Sequence, residues 1–225
     1  MKDYERKLGE IMRQGNEEIL AIEEAFDLPP GFVVSLKDEN DWSLIIKSHA
    51  LIESACSEML CHHFGKYELT DIFSNLEMSN KKCGKIAFIS ALGLLSKAER
   101  KFISELSELR NLIVHNASNV TFSLKDHLNG LSIEKRKKTI SALNIRLESI
   151  SIQGKVMTPD NISLERPSLV IWTSLLTCLL SIYAQDVFGI KRNEMIGKFI
   201  EEAKKNGPIF IQRQDLPKSI SARKK

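Results

Sequence analysis

The sequence predicts a mainly α protein, and three observations carry that expectation. From Asp41 onward apolar residues recur at spacings of three and four, the period of one helix face. Ser96 stands three residues before Glu99, the pattern of a capping box at a helix start. Residues 168–188, "SLVIWTSLLTCLLSIYAQDVF", are apolar almost throughout, as in a helix buried on most of its circumference.

Taken in order, 4–25 reads as a helix rich in Glu, Lys and Arg, with Leu8, Ile11, Met12, Ile19 and Ile22 as its apolar residues. The "LPPGF" at 28–32 ends it, because two prolines cannot continue a helix and Gly31 suits a tight turn. Residues 1–35 are thus expected to form a helical arm that packs on the body or on another subunit. In "DWSLIIKSHALIESACSEMLCHHF" the inward positions are Leu44, Ile45, Ala50 or Leu51, Ile52, Ala55, Met59 and Leu60. "KKCGKIAFISALGLL" is a second helix with Ile86, Phe88, Ile89 and Leu92 on its apolar side and a stop near Gly93. The capped helix runs from about Lys97 to His115, with Phe102, Leu106, Leu109 and Ile113 inside about 60° of arc. Leu128–Arg146 reads as a weaker helix with Ile133, Ile140 and Leu143 inward. "NVTFSLKDH" and "LESISIQGKVM" alternate apolar and polar residues, so each is a short strand or an extended loop. Residues 36–188 make the body. Residues 189–225 are a C-terminal extension with one helix at 194–205 and the basic end "SISARKK".

The chain has 225 residues, a net charge of +3, 43% hydrophobic and 27% charged residues, as in an ordinary globular protein. A charge of +3 does not by itself announce a nucleic-acid binder, although "EKRKK" at 134–138 gathers cations locally. The charged start "MKDYERKLGEIMRQ" has no apolar signal region, and no CxxC pair occurs among Cys56, Cys61, Cys83 and Cys178. The expected setting is the reducing cytoplasm. The apolar stretch 168–188 is short for a bilayer span of roughly 20 residues and carries Thr173, Ser174, Thr177 and Ser181, so a buried core helix is expected and no membrane partner.

The chemistry is concentrated in "ELSELRNLIVHNAS", 105–118. Asn111 and His115 lie one above the other on the polar side of their helix, with Ser104, Ser107 and Glu108, and Arg110 lies on the shoulder. Arg110 and His115 are about 140° apart on an ideal helix and cannot aim at one point from mid-helix. They converge if the helix turns at its end near Asn116, or if a second copy of the helix lies against it. An Arg fork stabilises a phosphate, a His moves a proton near neutral pH, and an Asn orients both. That combination suits phosphodiester cleavage without a metal. The acid and the base are two tasks for one His115, which a two-fold dimer would supply twice. The same trio on the outer face of an amphipathic helix is also ordinary surface, with cations near the helix C-terminus.

"RNLIVH", an Arg with four residues before a His at the end of a capped helix, resembles the HEPN superfamily. The likeness extends over "KSHALIESACSEML" (47–60) and "KIAFISALGLLSKAERKFISELSELRNLIVHN" (85–116), which are similar to the mannitol operon repressor-like branch of that superfamily. The resemblance implies a four- to five-helix bundle. It also implies a metal-independent endoribonuclease, a toxin or defence component, acting as a homodimer on RNA and leaving a 2′,3′-cyclic phosphate. It makes Arg110, Asn111 and His115 the catalytic residues, with Glu53 and His49 as candidate supporting residues, and needs no cofactor or metal. A cognate antitoxin or regulatory protein would be a further partner. The alternative is a non-catalytic regulatory or protein-interaction module of the mannitol operon repressor kind. Ala117 stands where relatives silenced by nucleotidyl transfer carry a Tyr two residues past the His, so that control is not indicated. Cys56, Cys61, His62 and His63 read as structural residues rather than a zinc site, since their spacing does not converge.

Overall fold

The computed structural model describes residues 15–115, 117–145, 150–152 and 155–206. It is mainly α, as expected. Helix α1 covers 15–25 of these residues, and a short turn of helix, α2, follows at Phe32–Ser35. The break at Pro29–Gly31 falls where the prolines demand it, with Gly31 in the left-handed region at φ 82°. The buried Glu23 carboxylate accepts the Gly31 N–H at 2.7 Å and the Val33 N–H at 2.8 Å. Those bonds satisfy the first amides of α2. Ile22 is fully buried, and the Trp172 indole N–H reaches the Val33 carbonyl at 2.8 Å. The described part of the arm therefore packs on its own body.

Helix α3, Asp41–Phe64, is the central element. Asn40 caps it by accepting the Ser43 N–H, and Gly65 ends it in the left-handed region. It packs against α6 (Lys97–Val114) on one side and α10 (Pro167–Asn206) on the other. Burial on two sides explains why its apolar residues wrap so much of its surface; of the two inward candidates at 50 and 51, Leu51 is buried and Ala50 exposed. The Asp41 carboxylate accepts the Leu124 N–H at 2.7 Å and the Ser168 hydroxyl at 2.6 Å. The start of α3 is thus fixed to both neighbouring segments.

Several local expectations are corrected. Helix α4, Thr70–Asn75, has no counterpart among the expected elements. Helix α5 is shorter than expected, Lys85–Leu92, and buries Lys85 with Ile86 and Ile89 while Phe88 and Leu92 face outward. The weak helix at 128–146 is two helices, α7 (Leu124–Gly130) and α8 (Ile133–Leu143), because Ser132 caps a new start by accepting the Lys135 N–H. Ile133 is consequently exposed rather than inward. "NVTFSLKDH" is not extended: it contributes to a 3-10 turn, Ala117–Thr121, and to α7, capped by Ser123. The second alternating stretch does form strands, β1 (Ile150–Ile152) and β2 (Lys155–Met157), paired antiparallel with Ser151 opposite Val156. Helix α9, Pro159–Glu165, leads into α10.

Helix α10 runs unbroken through the expected boundary at 188, so the helix foreseen at 194–205 is its continuation. Gly189 is there for contact rather than for a break. A Cβ on it would stand 3.1 Å from the His62 carbonyl carbon and oxygen, so the two helices could not approach as they do. One turn later Arg192 and Asn193 donate to the His63 and His62 carbonyls at the end of α3, the second of which also accepts the Gly65 N–H. Up to Ile182 the helix buries Ile171, Leu175, Cys178 and Leu179. Beyond it Phe188, Met195, Ile196, Phe199 and Ile200 are exposed. By length and composition α10 is the one described helix apolar enough to cross a membrane.

Candidate functional site

Helix α6 forms where the capping box predicted. The Ser96 hydroxyl accepts the Glu99 N–H at 3.3 Å, and the Glu99 carboxylate accepts the Ser96 N–H at 2.6 Å. The same carboxylate takes the Ser181 hydroxyl proton from α10, which locks the start of α6 in place. From that fixed origin, helix geometry sets where each downstream side chain goes.

Arg110 is half-buried and opens into a cleft of about 200 Å³ between α3 and α6, lined by His49, Glu53, Glu77, Ser107, Arg110 and Asn111. Its Nη1 donates to the Asn111 side-chain amide oxygen Oδ1 at 3.0 Å. No described carboxylate forms an ion pair with it.

His49 is buried on α3, with Nε2 at 3.1 Å from the Ser107 hydroxyl oxygen. Ser107 donates its own proton to the Ile103 carbonyl at 2.8 Å. It therefore accepts from His49, which places the imidazole proton on Nε2 and leaves Nδ1 facing Glu53 at 3.7 Å. Burial holds the His49 pKa below its ordinary value; Glu53 opposes this, and the charges of Arg110 and Lys85 add to it.

Glu53 has a second partner. Lys85, fully buried at the start of α5, donates to the Glu53 carboxylate at 3.2 Å and to the Ser74 carbonyl at 3.3 Å. Glu53 is thus an ion-pair partner of Lys85, while Arg110 shares its cleft. Beneath them the Cys56 thiol is pushed up to about 12 by burial, against the opposing charge of Lys85. It holds its proton and is not a nucleophile.

His115 is the C-cap residue of α6, with φ −87° and ψ −2°, and it is exposed. It lies outside the Arg110 cleft. One protomer therefore unites Arg110, Asn111, His49 and Glu53 and leaves His115 outside their cleft, beyond the last turn of α6. Ser107, read as surface, is buried at the heart of the cleft.

Two members of this cluster were missed in the sequence, and each left a signal. Lys85 lies four residues before the buried Ile89, the spacing of one helix face. Ser107 lies four before Asn111, on the same face of α6.

Cys56 and Cys61 are buried rather than half-buried, and His62 Nδ1 lies 2.6 Å from the Asp186 carboxylate of α10. Among the described residues no three His, Cys, Asp or Glu side chains gather as a metal site would require. No family model, no curated protein and no solved structure matches the chain.

Proposed function

We propose that the chain is a metal-independent endoribonuclease of HEPN type, a toxin or defence component that cleaves RNA as a homodimer. The observation that carries this reading is an Arg110 guanidinium open to a cleft, held by Asn111 and unpaired with any described carboxylate, on the helix that ends in an exposed His115. An unpaired guanidinium at a cleft is free to take a phosphate in bidentate hydrogen bonds. In the dimer one imidazole takes the proton of a ribose 2′-hydroxyl, whose oxygen attacks the adjacent phosphorus. The new O–P bond forms as the bond to the 5′-oxygen breaks. The second imidazole delivers a proton to that leaving oxygen, and a 2′,3′-cyclic phosphate remains. Arg110 stabilises the additional negative charge on the phosphoryl oxygens in the transition state. The separation of Arg110 from His115 within one chain is what makes a partner's helix necessary to the scheme.

The test is incubation of wild type and His115→Ala with mixed RNA in EDTA. Cleavage by wild type alone, yielding cyclic phosphate ends, supports the nuclease. An inert wild type favours the second reading, a regulatory or interaction module. That reading has its own support in the exposed Phe188, Met195, Ile196, Phe199 and Ile200 along the outer half of α10, an apolar stripe suited to a protein partner.

A further inference from the structure

Beside the Arg110 cleft, along α6, lies a groove of about 690 Å³ between α5, α6 and α8. Five cations line it: Lys81, Lys97, Arg100, Lys101 and Lys138. Glu108 is the single acid among the described residues lining it. None of the four lysines is in an ion pair with a described residue, and all four are exposed. Ala87, Ala91 and Ala142 give the groove an apolar floor, and Ser90, Ser104 and Ser141 add hydroxyls.

Its position is set by structure, not by chance side-chain reach. Lys81 follows Asn80, whose side chain accepts the Lys82 and Cys83 N–H groups and tightens that turn. Arg100 is anchored through the Leu95 carbonyl. The run "EKRKK" divides its labour here. Arg136 donates to the Leu128, Asn129 and Leu131 carbonyls and seals the end of α7, while Lys138 turns into the groove.

On a helical wheel Lys97, Lys101, Ser104, Glu108, Asn111 and His115 fall within about 80° of arc. They form one stripe about 27 Å long. The basic groove is therefore continuous along α6 with the residues at its chemical end.

We infer that this groove binds the phosphate backbone of single-stranded RNA and leads it along α6 toward Asn111 and His115. The lysines neutralise phosphates, as in the positively charged grooves of sequence-tolerant single-strand binders, and the serine hydroxyls can donate to phosphate oxygens. The direction toward His115 rests on the nuclease reading; the groove's affinity for the strand does not.

The experiment measures binding of a fluorescent 2′-O-methyl oligoribonucleotide, which lacks the attacking hydroxyl, by anisotropy over a range of salt concentrations. The paired substitution Lys97→Glu with Lys101→Glu is expected to weaken binding about tenfold or more and to flatten the salt dependence. The slope should fall by about 0.7 for each phosphate that the lysines no longer neutralise. Glu108→Gln is expected to tighten binding a few-fold, an improvement that misfolding cannot produce. Lys198→Glu, on the far part of α10, serves as the control and is expected to bind as wild type.

Equal binding by wild type and the paired variant overturns the proposal even if His115-dependent cleavage is seen. So does lysine-dependent binding to phosphatidylserine vesicles without affinity for the oligonucleotide. Groove-dependent binding by a wild type that cuts no RNA upholds the groove and removes the nuclease.

Discussion

The two flanks of α6 differ in the fate of their charges. On the flank facing α3, Lys85 and His49 are buried, Glu53 is partly covered, and the three are matched to one another, to Ser107 and to the Ser74 carbonyl. On the other flank Lys97, Lys101 and Lys138 stand in water with no described carboxylate bonded to them. Burying charge is costly unless every partner is in place, so the first flank is committed to one geometry. The second flank carries charge that the fold itself does not use. Arg110 and Asn111 sit at the border, one turn from the helix end where His115 emerges. The contrast teaches that charge gathered around one helix can serve architecture or recognition, and that pairing rather than residue type tells which.

The largest effect that would sharpen this contrast is on the open side. His115→Ala is expected to lower cleavage by about 100- to 10,000-fold while changing stability by less than about 0.5 kcal/mol. A variant that unfolds readily would make His115 architectural and erase the distinction.

On the closed side the expected pattern is reversed. Glu53→Ala leaves the fully buried Lys85 without its carboxylate and should cost about 3 kcal/mol by chemical denaturation. Adding Lys85→Met should restore most of that stability, since the stranded charge is gone. If the single substitution is neutral, the buried pair is not what holds α5 to α3.

Ser107→Ala should cost about 1 kcal/mol, because the buried His49 N–H is deprived of its acceptor. An unchanged midpoint would mean that His49 has found another.

The pH dependence is a finer probe. With its folded pKa held below the unfolded one, His49 binds fewer protons folded than unfolded over that interval. Stability is therefore full above the ordinary histidine value of about 6.5 and falls as pH drops toward the lowered value. His63 and His127, both lowered chiefly by burial, act in the same direction. His49→Gln should reduce the slope between neutral and mildly acidic pH, and an unaltered slope would assign it to the other two.

How far the sequence could be read follows from the same contrast. Helix α6 was legible to its ends because the Ser96–Glu99 box and a clean apolar stripe act locally. The Gly65 and Gly93 stops are local as well, and the stop at Gly93 is visible in the sequence. Long-range burial left weaker marks. Lys85 looked polar because its carboxylate comes from 32 residues earlier in the chain. The boundary expected at 188 is absent because Gly189 serves a close contact with the His62 carbonyl of α3, which the local sequence does not show. At the site, Arg110, Asn111, His49 and Glu53 are legible as candidates and do share a cleft, whereas Ser107 lies beside Asn111 as its spacing requires but is buried because His49 of α3 packs over it. The groove is not legible because its cations come from separate segments of the chain.

The separation of Arg110 from His115 makes subunit pooling the claim to test. Wild type and His115→Ala chains, mixed in equal amounts, unfolded together and refolded, would redistribute at random into dimers. If each cleft needs both copies of His115, only wild-type pairs cut, and activity per chain is expected at about a quarter of wild type. Retention of about half would mean that each chain contributes independently, which contradicts the shared cleft.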